Sequence, residues 1–422
     1  MENEDKSYLN CVHCGKCLPV CPTYNIGLNE FFSPRGRIRI ISAFNDRVLP
    51  LKASKVKETV SACLLCERCV KICPNNVETG SLIINEKTRL NRFKGNKLSF
   101  DRIALTVLKN KRKVLLRSAL ELLNMPIIER LKKRYTPKPD EKPFIGIEDL
   151  YFKSKNGNDL KPVGYFSGCV FDSIYSGISV DTVSSLVENG VSVFVPQMQG
   201  CCGLPFISSG DIGSFKDLAL NNANAFKNKD IDHIITSCAS CSYSINNLYP
   251  LYFNKNDEGY GEIMNFSKKL LNIWSFFKIL EKKGIDMIKM GRLKEETDAV
   301  FHIPCHLLNS PGFQPSSYNE MLIGEAGFIA DKINGLKLKS LKHNYCCGNG
   351  GMFNIRHYGL SKKITGRKFE EIKEASPQTI LTSCSGCIFS LSDQKGILKE
   401  KQVMPVDHLI SIYARSLRNL KD

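Results

Sequence analysis

The chain has 422 residues, 42% of them hydrophobic, and a formal charge of +17, enough to bury sizeable cores and to form two to four domains. It holds no run of about 18 apolar residues, and its start, Met-Glu-Asn-Glu-Asp-Lys-Ser, is acidic and unlike an export signal. We therefore expect a cytoplasmic protein, at most peripheral on the inner face of the cell membrane. The basic residues form no recognised base-reading motif and concentrate between Lys87 and Lys138, which argues against a nucleic-acid partner and suits an anionic lipid surface or an acidic subunit.

All 18 cysteines fall in ligand-like motifs, eight in the N-terminal quarter and five in each of two later copies. In a long chain without an export signal, such runs favour metal ligation over disulfides. The first is Cys11-Val-His-Cys14-Gly-Lys-Cys17-Leu-Pro-Val-Cys21-Pro22 and the second Cys63-Leu-Leu-Cys66-Glu-Arg-Cys69-Val-Lys-Ile-Cys73-Pro74. Each is the C-x2-C-x2-C-x3-C-P run of bacterial ferredoxins, in which the fourth cysteine serves the other cluster. That rule assigns Cys11, Cys14, Cys17 and Cys73 to one cubane 4Fe-4S cluster and Cys63, Cys66, Cys69 and Cys21 to a second. A pair of zinc sites would need no duplicated Cys-Pro ending.

Between the two runs, Ser33 reads as an N-cap with Pro34 at the first helical position, which puts Arg35, Arg37 and Arg39 on the opening turns of a helix. Cations there oppose the helix dipole. Either one or more of them pairs with cluster charge or a partner's carboxylate, or they form a solvated basic face. From residue 100 to 134 apolar residues recur at three- and four-residue spacing among lysines and arginines, a basic amphipathic helical stretch broken near Pro126. It packs on its own protein or lies on a membrane surface. Residues 135–161, with Pro137, Pro139 and Pro143, read as a linker.

The C-terminal part is a near-repeat. The order Cys169, Cys201-Cys202-Gly203, Cys238-Ala-Ser-Cys241 returns as Cys305, Cys346-Cys347-Gly348, Cys384-Ser-Gly-Cys387. Strands are predicted at 163–166, 191–195 and 231–235, with helices at about 175–189 and 213–227. In the second copy strands are predicted at 299–303, 336–340 and 378–382. Alternating strand and helix predicts parallel α/β units, with ligand sites beyond the C-terminal strand ends, where these cysteines fall. Adjacent cysteines point opposite ways in extended backbone, so an irregular turn at Gly203 and at Gly348, Gly350 and Gly351 is needed. Five thiolates exceed the need of one cubane. Among the histidines, His13 and His306 read as neighbours of cysteines rather than ligands, and His302 and His233 as satisfied core residues. His408 reads as lying near the C-terminal helix, where it could approach the second centre.

The expected fold is thus α+β and multidomain. An α-helical dicluster ferredoxin-type domain (1–98) is followed by basic helices and linker (99–161). Two tandem α/β CCG domains with parallel sheets (162–295 and 296–422) complete the chain.

The runs at 11–17, Cys-Pro-Thr-Tyr at 21–24, Pro-Arg-Gly-Arg-Ile at 34–38 and the two CCG copies together resemble the iron-sulfur subunit of glycolate oxidase. The domain plan is also similar to the iron-sulfur subunits of anaerobic glycerol-3-phosphate dehydrogenase and heterodisulfide reductase. The resemblance implies an oxidoreductase subunit that takes electrons from an FAD-containing 2-hydroxy-acid oxidase subunit towards the quinone pool or a membrane-bound acceptor. No catalytic side chain is expected, and neither a dinucleotide-binding fingerprint nor a serine elbow is present. It implies a further cluster on Cys169, Cys201, Cys202, Cys238 and Cys241, and another on Cys305, Cys346, Cys347, Cys384 and Cys387. The resemblance to heterodisulfide reductase implies noncubane 4Fe-4S clusters here, with zinc in one copy as in some relatives an alternative; on the residues alone, either the cluster is unusual in shape or one cysteine per copy has another role. The complete five-cysteine sets keep an alternative open, a disulfide or heterodisulfide reductase.

Overall fold

A computed structural model describes residues 7–46, 53–92, 135–154, 160–282, 288–308, 327–394, 397–398 and 402–421, with single positions between 105 and 121. The predicted basic amphipathic stretch at 100–134 lies almost wholly outside the described residues.

The N-terminal region is helical: α1 (Pro22–Gly27), α2 (Pro34–Asn45), α3 (Ala53–Ser61), α4 (Arg68–Lys71) and α5 (Thr79–Arg92). Ser33 caps α2 as expected, its hydroxyl accepting the Gly36 N–H at 2.9 Å. Prolines 22 and 74 directly follow the fourth cysteine of each run, and Pro22 opens α1.

Two sheets follow. The first has strand order β1-β3-β2-β4-β5, built from β1 (Leu150–Phe152), β2 (Val163–Tyr165), β3 (Val193–Val195), β4 (Ile234–Thr236) and β5 (Leu270–Asn272). The second has order β7-β6-β8-β9, built from β6 (Gly291–Phe301), β7 (Ile333–Lys339), β8 (Thr379–Thr382) and β9 (Val406–His408). Four strands of each sheet correspond in order and are parallel. The expected parallel plan needs one amendment. The stretch read as linker supplies β1, which pairs antiparallel with β3 at the sheet edge. Leu150 and Phe152 alternate with exposed Tyr151, and three residues are too few for that alternation to stand out in a sequence.

The two α/β units share one core. The helix Ser176–Glu188 packs on the C-terminal helix Leu409–Arg418. There Tyr413 Oη donates to Lys289 O at 2.9 Å, and the Asn189 amide lies beside the same hydroxyl. The helical region sits against both units. Lys87 Nζ donates to Ser208 O of the first at 2.9 Å, and Arg68 donates to Asn344 O of the second at 2.8 Å. An apolar seam of Leu64, Phe353 and Ile364, with Phe32 and Leu360 at its margin, closes the contact.

Candidate metal centres

In the two N-terminal runs the backbone repeats as closely as the sequence does. His13 and Leu65, each just before the second cysteine, are left-handed at φ 53° and 52°, and Gly15 and Glu67, just after it, at φ 85° and 56°. Non-glycine residues in that region store strain, a recurrent property of functional loops. The loops wrap two small cavities. One is lined by Cys11, Cys14, Cys17 and Cys73, the other by Cys21, Cys63 and Cys66, and Cys69 borders both.

Arg37 lines the second cavity and is 2% exposed. It donates to Thr59 O (3.1 Å), Ala62 O (2.8 Å) and Thr23 Oγ1 (2.9 Å), and lies 4.0 Å from Cys21 Sγ. Among the described residues no carboxylate pairs with it. A buried guanidinium without an acid needs another anion nearby, and a thiolate-ligated cluster supplies one. The other two arginines behave differently: Arg35 pairs with Glu30 and donates to His13 O at 3.1 Å, and Arg39 is exposed.

The five-cysteine sets stand at the C-terminal ends of their strands. Cys169 follows β2, Cys201 and Cys202 follow β3, and Cys238 follows β4; Cys305, the pair Cys346 and Cys347, and Cys384 follow β6, β7 and β8. The irregular turns are present, with Gly203 at φ 83° and Gly348 at φ 86°. Each turn is held by residues far along the chain. In the first set the Asn222 amide accepts from Gly200 N and donates to Cys201 O, both at 2.8 Å. In the second, Glu371 accepts the N–H groups of His343, Asn344 (2.7 Å) and Tyr345 (3.1 Å) while bonding buried Lys368 at 2.9 Å. Burial alone would raise the Glu371 carboxyl, and Lys368 with those N–H groups holds it below the ordinary value.

The sets expected as separate cages open onto one cavity of about 360 Å³, lined by all ten thiols together with Leu64 and Cys66 of the helical region. Their CxxC turns touch: Ser240 Oγ lies 2.9 Å from Cys384 Sγ, Cys238 Sγ lies 3.4 Å from Ser385 Oγ, and Ala239 N donates to Ser383 O at 2.8 Å. Burial pushes the Cys66 thiol up to about 12 and raises those of Cys69 and Cys305. So many enclosed sulfurs become ligands only where metal cations displace their protons. The donor set, all soft sulfur, fits iron-sulfur chemistry.

The histidines depart from expectation in three places. His302 is buried but not satisfied. Its Nδ1 has no partner, and a ring nitrogen lies within 4.8 Å of the sulfurs of Cys347 and Cys387. His233 is half-buried just ahead of β4, its ring edge-on to Phe276. His408 reaches the first unit rather than the second centre, with Nε2 3.0 Å from Ser237 O. His306 is a neighbour, as read, hydrogen-bonded to Ser240 at 3.0 Å and stacked on Tyr243 at 4.5 Å. The sequence named Arg37 with Arg35 and Arg39 without separating them, and it gave no sign of Asn222 or of the Lys368–Glu371 pair. His302 carried a signal in its place, three residues before the first cysteine of its set.

Comparison with known proteins agrees with this architecture. A 4Fe-4S dicluster domain matches residues 7–77, and a cysteine-rich domain matches 163–246 and again 299–392. The chain is 26% identical to a probable glycolate oxidase iron-sulfur subunit of Bacillus subtilis, over 92% of this chain and 89% of that one. It is 25% identical to one subunit of the CoM/CoB fumarate reductase of Methanothermobacter marburgensis, over 97% and 73%. Lactate utilization protein A of a Geobacillus species is 23% identical over 59% of this chain and 98% of its own. A crystal structure of a Helicobacter pylori protein shares the fold at TM-score 0.51 and 11% identity, over 95% of this chain and 71% of that one. The chain belongs to the iron-sulfur proteins that join a 4Fe-4S dicluster domain to two cysteine-rich domains, and among them it is similar to the iron-sulfur subunit of glycolate oxidase.

Proposed function

We propose that this chain is the electron-transfer subunit of a flavin-linked 2-hydroxy-acid oxidase, with glycolate or lactate oxidised on a partner FAD protein and electrons leaving towards the quinone pool. Cys11, Cys14, Cys17 and Cys73 hold one cubane 4Fe-4S cluster, and Cys21, Cys63, Cys66 and Cys69 the other. The two cysteine-rich domains, over 162–295 and 296–422, hold one further centre each on their five thiols, noncubane 4Fe-4S or, in one copy, zinc. Bound iron-sulfur clusters supply one-electron storage at potentials that the surrounding charge and hydrogen bonds adjust.

The observation that carries this reading is the series of cavities. Cys69 lines both ferredoxin-type cavities, and Cys66 lines both the second of them and the large cavity. The route thus runs from exposed Cys14 to the ten buried and half-buried thiols without a break. In this reading the side chains ligate, exclude water and position, and the proton of the hydroxy acid is taken on the partner protein. The test is the anaerobically purified chain. It should contain iron and acid-labile sulfide, show paramagnetic signals after dithionite and oxidise no hydroxy acid alone, and should recover electron transfer to a quinone only with its co-purified flavoprotein. Hydroxy-acid turnover by the isolated chain with an artificial acceptor would refute it.

A second reading is favoured by one observation, the shared cavity. It brings the ten thiols of both sets to one place, where cleavage of a substrate disulfide to two thiols would consume two protons and two electrons, which clusters held by the N-terminal cysteines would supply. Reduced protein offered a panel of disulfides would then release thiols in step with reoxidation of its centres.

A further inference from the structure

The two five-cysteine sets are alike in thiols but not in what faces them. Phe166 and His302 occupy the same place, each three residues before the first cysteine of its set. Phe166 N donates to Ile235 O and His302 N donates to Leu381 O, both at 2.8 Å, and the flanking registers Tyr165↔Ile235 and Phe301↔Leu381 correspond. Phe166 lies among Phe226 and Phe266. His302 instead brings a ring nitrogen within 4.8 Å of Cys347 Sγ and Cys387 Sγ, is 2% exposed, and leaves Nδ1 with no partner. Lys368 and Arg68 act on the ring as cations and Cys347 as a thiol partner, while the carboxylate beside Lys368, Glu371, is bonded to Lys368 itself at 2.9 Å. A buried imidazole with an unused nitrogen beside two thiols is an expensive arrangement unless the thiols are charged.

We propose that His302 donates a ring N–H to the ligating thiolate of Cys347, a bond that Phe166 denies the first set, so that the second cysteine-rich centre is the better electron acceptor of the two. The inference rests on the reading that the second set holds an iron-sulfur centre. An N–H directed at a ligand sulfur stabilises the more negative, reduced state of its centre and raises its potential. His302 is accordingly a positioning residue that tunes the second centre, and the electrons arriving through Cys66 come to rest there.

The test uses the full chain, reconstituted anaerobically, as wild type, His302→Phe (the first set's residue) and His302→Gln (which keeps an N–H donor). Iron and sulfide are counted, folding is checked by circular dichroism, and each centre is titrated by dithionite under paramagnetic resonance. His302→Phe should keep its iron and sulfide and shift the reduction equilibrium of one centre about tenfold towards the oxidised form, equal to about 59 mV for a one-electron couple. His302→Gln should remain near the wild type, and the other centres should not move. Unchanged potentials with intact content overturn the proposal alone. Equal loss of iron in both variants overturns it in favour of ligation by the ring. If replacing Cys346 and Cys347 by serine leaves wild-type iron and sulfide content unchanged, the reading beneath the proposal falls and the proposal with it.

Discussion

Gly203 and Gly348 illustrate what a single residue decides here. Both are left-handed, and both are crowded. A Cβ on Gly203 would meet Phe215 Cδ2 at 2.6 Å, whereas one on Gly348 would meet the Ser361 carbonyl oxygen at 2.7 Å and Thr365 Oγ1 at 2.6 Å. The Phe215 ring is fully buried against Tyr249 and Tyr252, and the Ser361 carbonyl belongs to a helix, so neither yields, and Gly203→Ala and Gly348→Ala should each destabilise by about 2–3 kcal/mol. Urea midpoints of the holoprotein should fall in both variants, and iron content with them. These glycines were readable in advance, because adjacent cysteines demand a turn. His408 was not. Its Nδ1 accepts from Ile410 N at 3.1 Å and Nε2 meets Ser237 O at 3.0 Å, partners 171 residues apart in the second case. Burial holds its imidazole down to about 4 from an ordinary 6.5. Between those values the unfolded chain binds the proton and the folded chain resists it, so stability is full above pH 6.5 and is lost as pH falls through 4, by up to about 3 kcal/mol. His408→Gln should flatten that part of the stability profile, and an equally steep profile in the variant would contradict this.

At the scale of the element, α2 is the clearest case of sequence dictating structure. Ser33 and Pro34 start it where local chemistry requires, and Ser33→Ala should remove about 1 kcal/mol in chemical denaturation. Which arginine of that helix turns inward is decided by what α2 packs on. Arg37 meets the carbonyls of Thr59 and Ala62 at the end of α3, and Arg39, two residues on, points to water. Arg37→Lys cannot reach both carbonyls and Thr23 together. It should cost about 2–4 kcal/mol and weaken the resonance of the second ferredoxin-type centre while leaving the first intact; equal loss of both signals would contradict this. The fourth strands β5 and β9 were missed for a related reason. Leu-Leu-Asn and Val-Asp-His are too short to show a period, yet they hold equivalent places, Asn272 and His408 pairing with Thr236 and Thr382 and capping the helices that follow.

For the whole molecule, the helical region docks where the two α/β units meet, through Leu64 against Gly350, whose added Cβ would come within 2.5 Å of Leu64 Cδ2. Gly350→Val should therefore part Cys66 from the large cavity. Stopped-flow reduction should show the N-terminal centres filling at the wild-type rate and the cysteine-rich centres filling more slowly. Equal slowing of both would argue against the route. The sequence by itself determined the order and spacing of the thiols, the strand and helix alternation and the turns at the paired cysteines. All of these are set by spacing within one loop or one periodic segment, where a few residues fix the geometry. Only the tertiary structure decided that the two five-cysteine sets share a cavity, that Cys66 and Cys69 join successive sites, and that His302 faces sulfur where Phe166 faces rings. Those relations arise when apolar faces far apart in the chain are buried against one another, and no local pattern encodes which faces will meet.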